Sequence, residues 1–261
     1  MMSKLMLGVY TYVRDCVKID YPFVESIQSS LLIADRVFVC DAYSTDGTWE
    51  ILQALAACDT RIQIMRHPWG DHYSVQGRIC NGMLERITAE GYDFALQVQA
   101  DEIVCEWTIE SFRRDLEHMH VTNIGLGRPR YIHLCPNYRT EFPFIYDRKA
   151  VLSRCSHQLR YDGDSDACAM VGPSVFDLHL QLHHVGKVQL GREAKALAKE
   201  LEFQMMYESL GFPDPKFVAQ KASGKVDYPV AFANATFTPY NGPWPAVILP
   251  RIARAEGRLQ D

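Results

Sequence analysis

Ala34-Asp35-Arg36-Val37-Phe38-Val39-Cys40-Asp41-Ala42-Tyr43-Ser44-Thr45-Asp46-Gly47-Thr48 runs from an apolar, β-branched stretch straight into a polar turn. Residues 36–40 read as a strand buried on both faces, because after Arg36 no polar position interrupts the run. Residues 41–48 read as a tight turn rich in short polar side chains and one glycine. Thr48 or Asp46 can cap the next helix, which continues through Ile51, Leu52 and Leu55. A buried strand that ends in a polar turn and passes into a helix is the repeating unit of a parallel sheet.

The same unit recurs on both sides of this stretch. Upstream, Leu5 to Tyr10 reads as a strand, and Phe23, Val24, Ile27, Leu31 and Leu32 follow helical spacing. Downstream, Arg61 to Met65 is a short strand, and Val75, Ile79, Met83 and Ile87 step by four along one helix face. Asp93 to Val98 is a further strand, and helical signals resume between Thr108 and Met119. The expected fold is therefore α/β and Rossmann-like, a mostly parallel sheet flanked by helices. Ligands of such sheets bind outside the carboxyl ends of the strands. The polar clusters fall at those ends: Thr11 to Asp15, Asp41 to Asp46, and Asp101-Glu102. Later in the chain, Ile124 to Leu134 and Val175 to Leu182 read as strands. Glu193 to Leu210 has an apolar face made by Ala194, Leu197, Ala198, Leu201 and Met205. Beyond Gly211, proline and glycine become frequent. The expected organisation is one catalytic domain over residues 1–210, with a C-terminal extension, 211–261, packing on it.

Composition narrows the class. The chain has 261 residues, 48% apolar and 23% charged, with a net charge of −5. That balance offers nucleic acid no general attraction, although a local basic groove remains open. Eight cysteines without a Cys-x-x-Cys pair, several inside apolar runs, point to reduced thiols and a cytoplasmic protein. No apolar run reaches the roughly 18 residues of a membrane span. The first ten residues are too short and too strand-like for a signal peptide.

Five places can carry chemistry. Asp101, followed by Glu102 after a buried strand, can hold a hard divalent cation such as Mg²⁺ or Mn²⁺ against a diphosphate; the plain alternative is a helix-capping carboxylate. In His179-Leu-Gln-Leu-His183-His184, His179 and His183 share one face of a strand and His184 the other. A zinc site there lacks partners at finger-like spacing, and a hydrogen-bonded strand-end histidine is the alternative. Asp41 can accept hydrogen bonds from a nucleobase or ribose, or merely close a turn. Arg78, on the helix after Trp69-Gly70-Asp71, can reach a diphosphate with a planar fork of donors, or form a surface ion pair. Tyr161-Asp162-Gly163-Asp164-Ser165-Asp166 lacks the closing glutamate of a calcium loop. It can supply a general base or be a solvated turn.

Together these segments resemble family 2-type glycosyltransferases of the A fold, in the branch of lipopolysaccharide-core glucosyltransferase-like proteins. Residues 34–48 look like that branch's ADEIVVVDTGSTDGT segment. Gln97-Val98-Gln99-Ala100-Asp101-Glu102 is similar to its LDADE metal motif, and Leu182-His183-His184-Val185-Gly186 to its HYG element. Tyr240 to Pro245 is similar to a GxHP element of some members. The resemblance implies that Thr11, Tyr12 and Asp41 contact the nucleoside and that Arg78 lies near the diphosphate. It implies that Asp101 and His184 ligate Mn²⁺ or Mg²⁺, and that Asp166 or Asp164 is the base of an inverting displacement. Gln99 stands in the place of the first acid of the metal motif, among the donor-binding residues, where a neutral amide weakens metal affinity. Asp15-Cys16 replaces Asn-Glu, and Trp244 replaces the histidine of the last element.

Three functions are compatible with this reading. In the first, the chain moves a sugar from a nucleoside-diphosphate sugar to a glycan or lipopolysaccharide-type acceptor. In the second, the acceptor is a hydroxymethylated base in DNA, as in bacteriophage DNA glycosyltransferases. Arg128, Arg130, Arg139, Arg148, Arg154 and Arg160 would then track phosphates, and Tyr131, Tyr138, Phe142, Phe144 and Tyr146 would stack the extruded base. In the third, the lost acid at Gln99 marks a non-catalytic nucleotide-sugar-binding protein.

Overall fold

A computed structural model of the chain describes residues 4–70, 74–135, 137–142, 146–157, 160–161, 165, 168–169, 174–186, 188 and 237–258. Its first half follows the strand–helix alternation. The order is β1 (Leu7–Val13), α1 (Phe23–Ser30), β2 (Arg36–Asp41), α2 (Thr48–Cys58), β3 (Ile62–Arg66), α3 (Val75–Ala89) and β4 (Phe94–Gln97). These four strands are parallel neighbours in the order β3-β2-β1-β4. Alternate side chains leave opposite faces. Val9, Val37, Val39 and Leu96 pack with Ile27 and Leu52 on the α1/α2 side. Tyr10, Phe38 and Ala95 pack with Ile79, Met83 and Ile87 of α3 on the other. Helix α2 starts after Gly47, whose φ of 97° suits glycine. Asp46 caps it by accepting from the Thr48 amide at 3.1 Å and the Thr48 hydroxyl at 2.6 Å.

The second half completes a mixed sheet. It contains β5 (Glu102–Val104), α4 (Ile109–Thr122), β6 (Leu126–His133), β7 (Thr140–Glu141), β8 (Leu152–Arg154), β9 (Arg160–Tyr161), β10 (Cys168–Ala169) and β11 (Val175–His184). Then follow β12 (Thr238–Pro239) and α5 (Leu249–Ala255). The eight-stranded sheet runs β3-β2-β1-β4-β8-β6-β11-β5. The fold is Rossmann-like α/β, with helices on the sheet faces. Three-residue β8 slips between β4 and β6, antiparallel to both. Three-residue β5 pairs antiparallel with β11 at the far edge, with Glu102 opposite His184. Both strands are too short to show a period in the sequence.

The described tail, 237–258, lies on this edge. Ile248 and Ile252 join Ile103, Ile132, Leu134 and Tyr240 in a third apolar cluster. Arg251 binds Asp20 at 2.7 Å and Glu25 at 2.8 Å, tying α5 to the first helix region. The amphipathic stretch Glu193 to Leu210 lies outside the described residues. Among the described residues no helix is long and apolar enough to cross a membrane. Seven described cysteines are free thiols, all buried except Cys58.

His183 sits in the third cluster. Its ring contacts Trp107, Tyr240 and Trp244, with Tyr240 Oη 3.0 Å from Nε2. Burial lowers its pKa from 6.5 to about 3. The unfolded chain therefore takes up a proton, as pH falls through that interval, that the folded chain refuses. Its contribution is complete above pH 6.5 and is lost toward pH 3, by at most about 1.4 kcal/mol per pH unit. Urea denaturation across this range should show that slope in the wild type and a flatter one in His183→Gln. Equal slopes would place the proton uptake elsewhere.

Candidate active site at the carboxyl edge of the sheet

The loops that follow β1 and β2 are tied together at the carboxyl ends of their strands. Asp41, the last residue of β2, is fully buried. Its carboxylate accepts from the Ser44 amide at 3.1 and 3.3 Å and from Arg66 Nε at 2.8 Å. Arg66 stands opposite Asp41 in the parallel register of β2 and β3, and its guanidinium lies 4.5 Å from the ring centres of both Tyr43 and Trp49. Ser44 Oγ accepts from the Asp15 amide at 2.9 Å, and Asp15 Oδ1 accepts from the Thr45 amide at 2.8 Å. Asp46 Oδ2 accepts from the Lys18 amide at 2.7 Å. Burial works to raise the Asp46 pKa, but the Thr48 hydroxyl and the backbone amides outweigh it and hold the carboxyl below its usual value. Asp41 thus closes this loop from beneath. Nothing local marks Arg66 in the sequence; it matters because the β2–β3 register sets it against Asp41.

Asp101 and His184 are brought together. The chain turns after β4, with the Glu102 amide donating to the Gln99 carbonyl at 2.9 Å. The Val185 amide donates to the Asp101 carbonyl at 2.9 Å, and His184 Nε2 then stands 3.5 Å from Asp101 Oδ2. Gly186 is required here, because a Cβ at that position would overlap the Asp101 carboxylate. A carboxylate oxygen and an imidazole nitrogen this close could each contribute a ligand to one divalent cation. Among the described residues no group of three or more such side chains could hold a metal, so substrate oxygens and water would have to complete the coordination. His179 takes no part: its Nδ1 lies 2.8 Å from Asp115 Oδ1. The zinc alternative for His179 and His183 finds no support.

Glu102, next to Asp101, faces inward. Its Oε2 accepts from the Gln99 amide at 2.9 Å, and its Oε1 lies 3.5 Å from Lys149 Nζ. Both ends of this ion pair are buried. The ammonium also lies 5.5 and 5.4 Å from the ring centres of Tyr131 and Tyr146. Lys149 compensates the second of two adjacent acids and leaves Asp101 as the one turned toward His184.

Among the remaining candidates, Tyr12 and Gln99 meet at one hydroxyl. Tyr12 Oη lies 2.9 Å from Ser165 Oγ, and Gln99 Nε2 donates to the same hydroxyl at 3.3 Å. Ser165 in turn donates to Gln76 at 3.4 Å. Tyr12 and Trp69 pack with ring centres 6.0 Å apart, and Arg14 lies over Trp69. Thr11 is buried, and among the described residues its hydroxyl finds no hydrogen-bond partner. Arg78 is exposed on α3, its guanidinium against Gly70. Asp164 and Asp166 lie outside the described residues. Asn81 holds Tyr161 of β9, accepting from its amide at 2.8 Å and donating to its carbonyl at 3.0 Å.

Most of the arginines expected to form a basic groove are spent on the protein itself. Arg128 and Arg148 pair with Asp177, Arg139 with Glu256, and Arg160 with Glu85. Arg154 donates to the carbonyls of Met119 and His120.

No family model matches the chain, and no curated protein matches it in sequence. Solved structures of similar shape include S. aureus TarS 1-349, at a TM-score of 0.48 and 11% identity, covering 78% of this chain and 66% of that one. The structure titled S. aureus TarS has a TM-score of 0.46 and 12% identity, and this chain spans only 43% of it. TarS 1-349 in complex with UDP-GlcNAc has a TM-score of 0.48 and 11% identity, covering 97% and 80%. Likenesses this distant set the chain in no family, and the functional reading rests on the site.

Two substitutions test the geometry. Lys149→Met should lower unfolding stability by about 3–5 kcal/mol, because it strands a buried carboxylate, and Glu102→Gln added to it should restore most of the loss. Denaturant midpoints measure both, and a single-variant loss below about 1 kcal/mol would show the pair behaving as an exposed one. Gly186→Ala should displace the Asp101 carboxylate and weaken Mn²⁺ binding by roughly tenfold or more by calorimetry. Unchanged affinity would separate Asp101 from the metal.

Proposed function

We propose that the chain is a nucleotide-sugar-dependent glycosyltransferase of the A-fold type. One observation carries this reading: a buried aspartate and a histidine face each other at 3.5 Å at the carboxyl edge of a Rossmann-like sheet. Asp101 and His184 would hold Mn²⁺ or Mg²⁺. When bound, the metal supplies positive charge to the diphosphate that leaves the sugar. Two protein donors suit such a cation, because the diphosphate itself provides further oxygens.

The chain's own residues then bind and orient the donor. Thr11, with its buried unsatisfied hydroxyl, and Tyr12 would contact the nucleoside. Asp41 would act there through the loop that it and Arg66 close. Arg78, with its exposed guanidinium, would meet the diphosphate. Gln99 replaces a second acid and, through Ser165, would couple the donor side to the acidic turn. Asp166 or Asp164, the neighbours of that anchored serine, would take the proton from the acceptor hydroxyl, which gives inversion by direct displacement. Residues 211–261 would serve as an extension of the 1–210 domain; Tyr240 already bonds to His183 of β11. The acceptor we favour is a glycan or lipopolysaccharide-type saccharide. A DNA acceptor is disfavoured, because five of the six arginines that would track phosphates already bond within the protein.

A thermal-shift screen of nucleoside-diphosphate sugars with and without Mn²⁺ tests the proposal. At least one donor should stabilise the wild type in a Mn²⁺-dependent way, and Asp101→Asn and His184→Ala should abolish that shift. The same donor should be hydrolysed or transferred, with kcat reduced in both variants by about 10² or more. No response to any donor, or responses indifferent to both substitutions, would refute it. Binding without turnover would leave the protein a non-catalytic binder.

A further inference from the structure

Beyond the two proposed ligands, a third side chain controls how one of them presents itself. His133 ends β6 and His184 ends β11, and the two are partners in the parallel register of these strands. Their Nδ1 atoms lie 3.2 Å apart. On its other side, His133 Nε2 lies 2.7 Å from the Tyr146 carbonyl oxygen. A carbonyl oxygen only accepts, so the proton of a neutral His133 sits on Nε2 and its Nδ1 carries a lone pair. The 3.2 Å contact is then a hydrogen bond only if His184 Nδ1 donates. A neutral His184 with its proton on Nδ1 turns an unprotonated Nε2 toward Asp101 Oδ2, 3.5 Å away.

We propose that His133 is a positioning residue: it locks His184 in the tautomer whose Nε2 is free of a proton and aimed at the Asp101 carboxylate. The inference rests on the reading of Asp101 and His184 as a metal pair. Without His133, a neutral His184 would gain by shifting its proton to Nε2 and donating it to Asp101, which closes the site to a cation. With His133, the Nε2 of His184 keeps the lone pair through which it could ligate a cation. The surroundings hold His133 rigid. Its ring is buried, edge-on to Tyr146 with ring centres 4.6 Å apart and stacked on Tyr131 at 5.9 Å. Histidine ligands are commonly oriented in this way by whatever their second ring nitrogen bonds.

Nitrogen NMR of the His184 ring in the metal-free protein, at a pH where both rings are neutral, tests the lock directly. The wild type should show Nδ1 protonated and Nε2 bare. His133→Phe, which keeps a ring but removes the acceptor, should shift the proton toward Nε2. His133→Gln carries an acceptor and a donor that can reach the same two partners, and should restore the wild-type pattern. Mn²⁺ affinity measured by calorimetry with UDP present should fall roughly 10–100-fold in His133→Phe and recover in His133→Gln. A wild-type His184 protonated at Nε2 would overturn the proposal without any variant needing to fold. So would a tautomer indifferent to His133→Phe, or one that shifts while Mn²⁺ affinity stays put. A lock seen by NMR in a wild-type protein that binds no Mn²⁺ would uphold the tautomer and instead defeat the metal reading.

Discussion

The antiparallel pairing of β5 with β11 is the constraint on which the site depends. It places Glu102 opposite His184, and the turn just before β5 brings the Asp101 carboxylate to 3.5 Å from the imidazole. A slip of one residue would turn every side chain of β5 to the other face and carry the turn that holds Asp101 out of step with His184. Two features hold the register. The Val185 amide donates to the Asp101 carbonyl, and Gly186 leaves the space the Asp101 carboxylate fills. The third apolar cluster, with Ile103 of β5 packed among Ile132, Leu134 and Ile248, supplies the burial that makes so short a strand stable.

Charge is distributed around this junction with opposite logic on its two sides. Asp101 and Glu102 are adjacent acids, and Glu102 alone has a buried ammonium beside it. Lys149 offsets the charge of Glu102 across a buried contact. On the other side of the edge, Asp41 is offset by Arg66, and the loops above it are held by carboxylates that accept backbone amides. Acids that are spent build the rim, while Asp101 faces His184. Ser165, bonded to both Tyr12 and Gln99, is a further link on this rim.

Much of the first half was legible because its signals are local. Residues 36–40 had to be buried on both faces, and Val75, Ile79, Met83 and Ile87 had to share one helix face; a parallel sheet with its polar turns at the carboxyl edge follows from such runs. Strands β5 and β8 were invisible, since three residues carry no period and their stability comes from neighbours distant in sequence. Arg66, Lys149 and His133 carry no local signal for the same reason. Each is an ordinary polar residue until register sets it against Asp41, Glu102 or His184.

The sequence by itself determined the layered α/β architecture and the positions along the chain where chemistry-bearing residues collect. Hydrophobic periodicity and turn preference are properties of neighbouring residues and need no tertiary partner. Only the tertiary structure decided which acid turns toward the histidine, which cation neutralises the other, and which nitrogen of His184 is left bare. These depend on strand register and on desolvation, and both arise from contacts between segments separated by tens of residues.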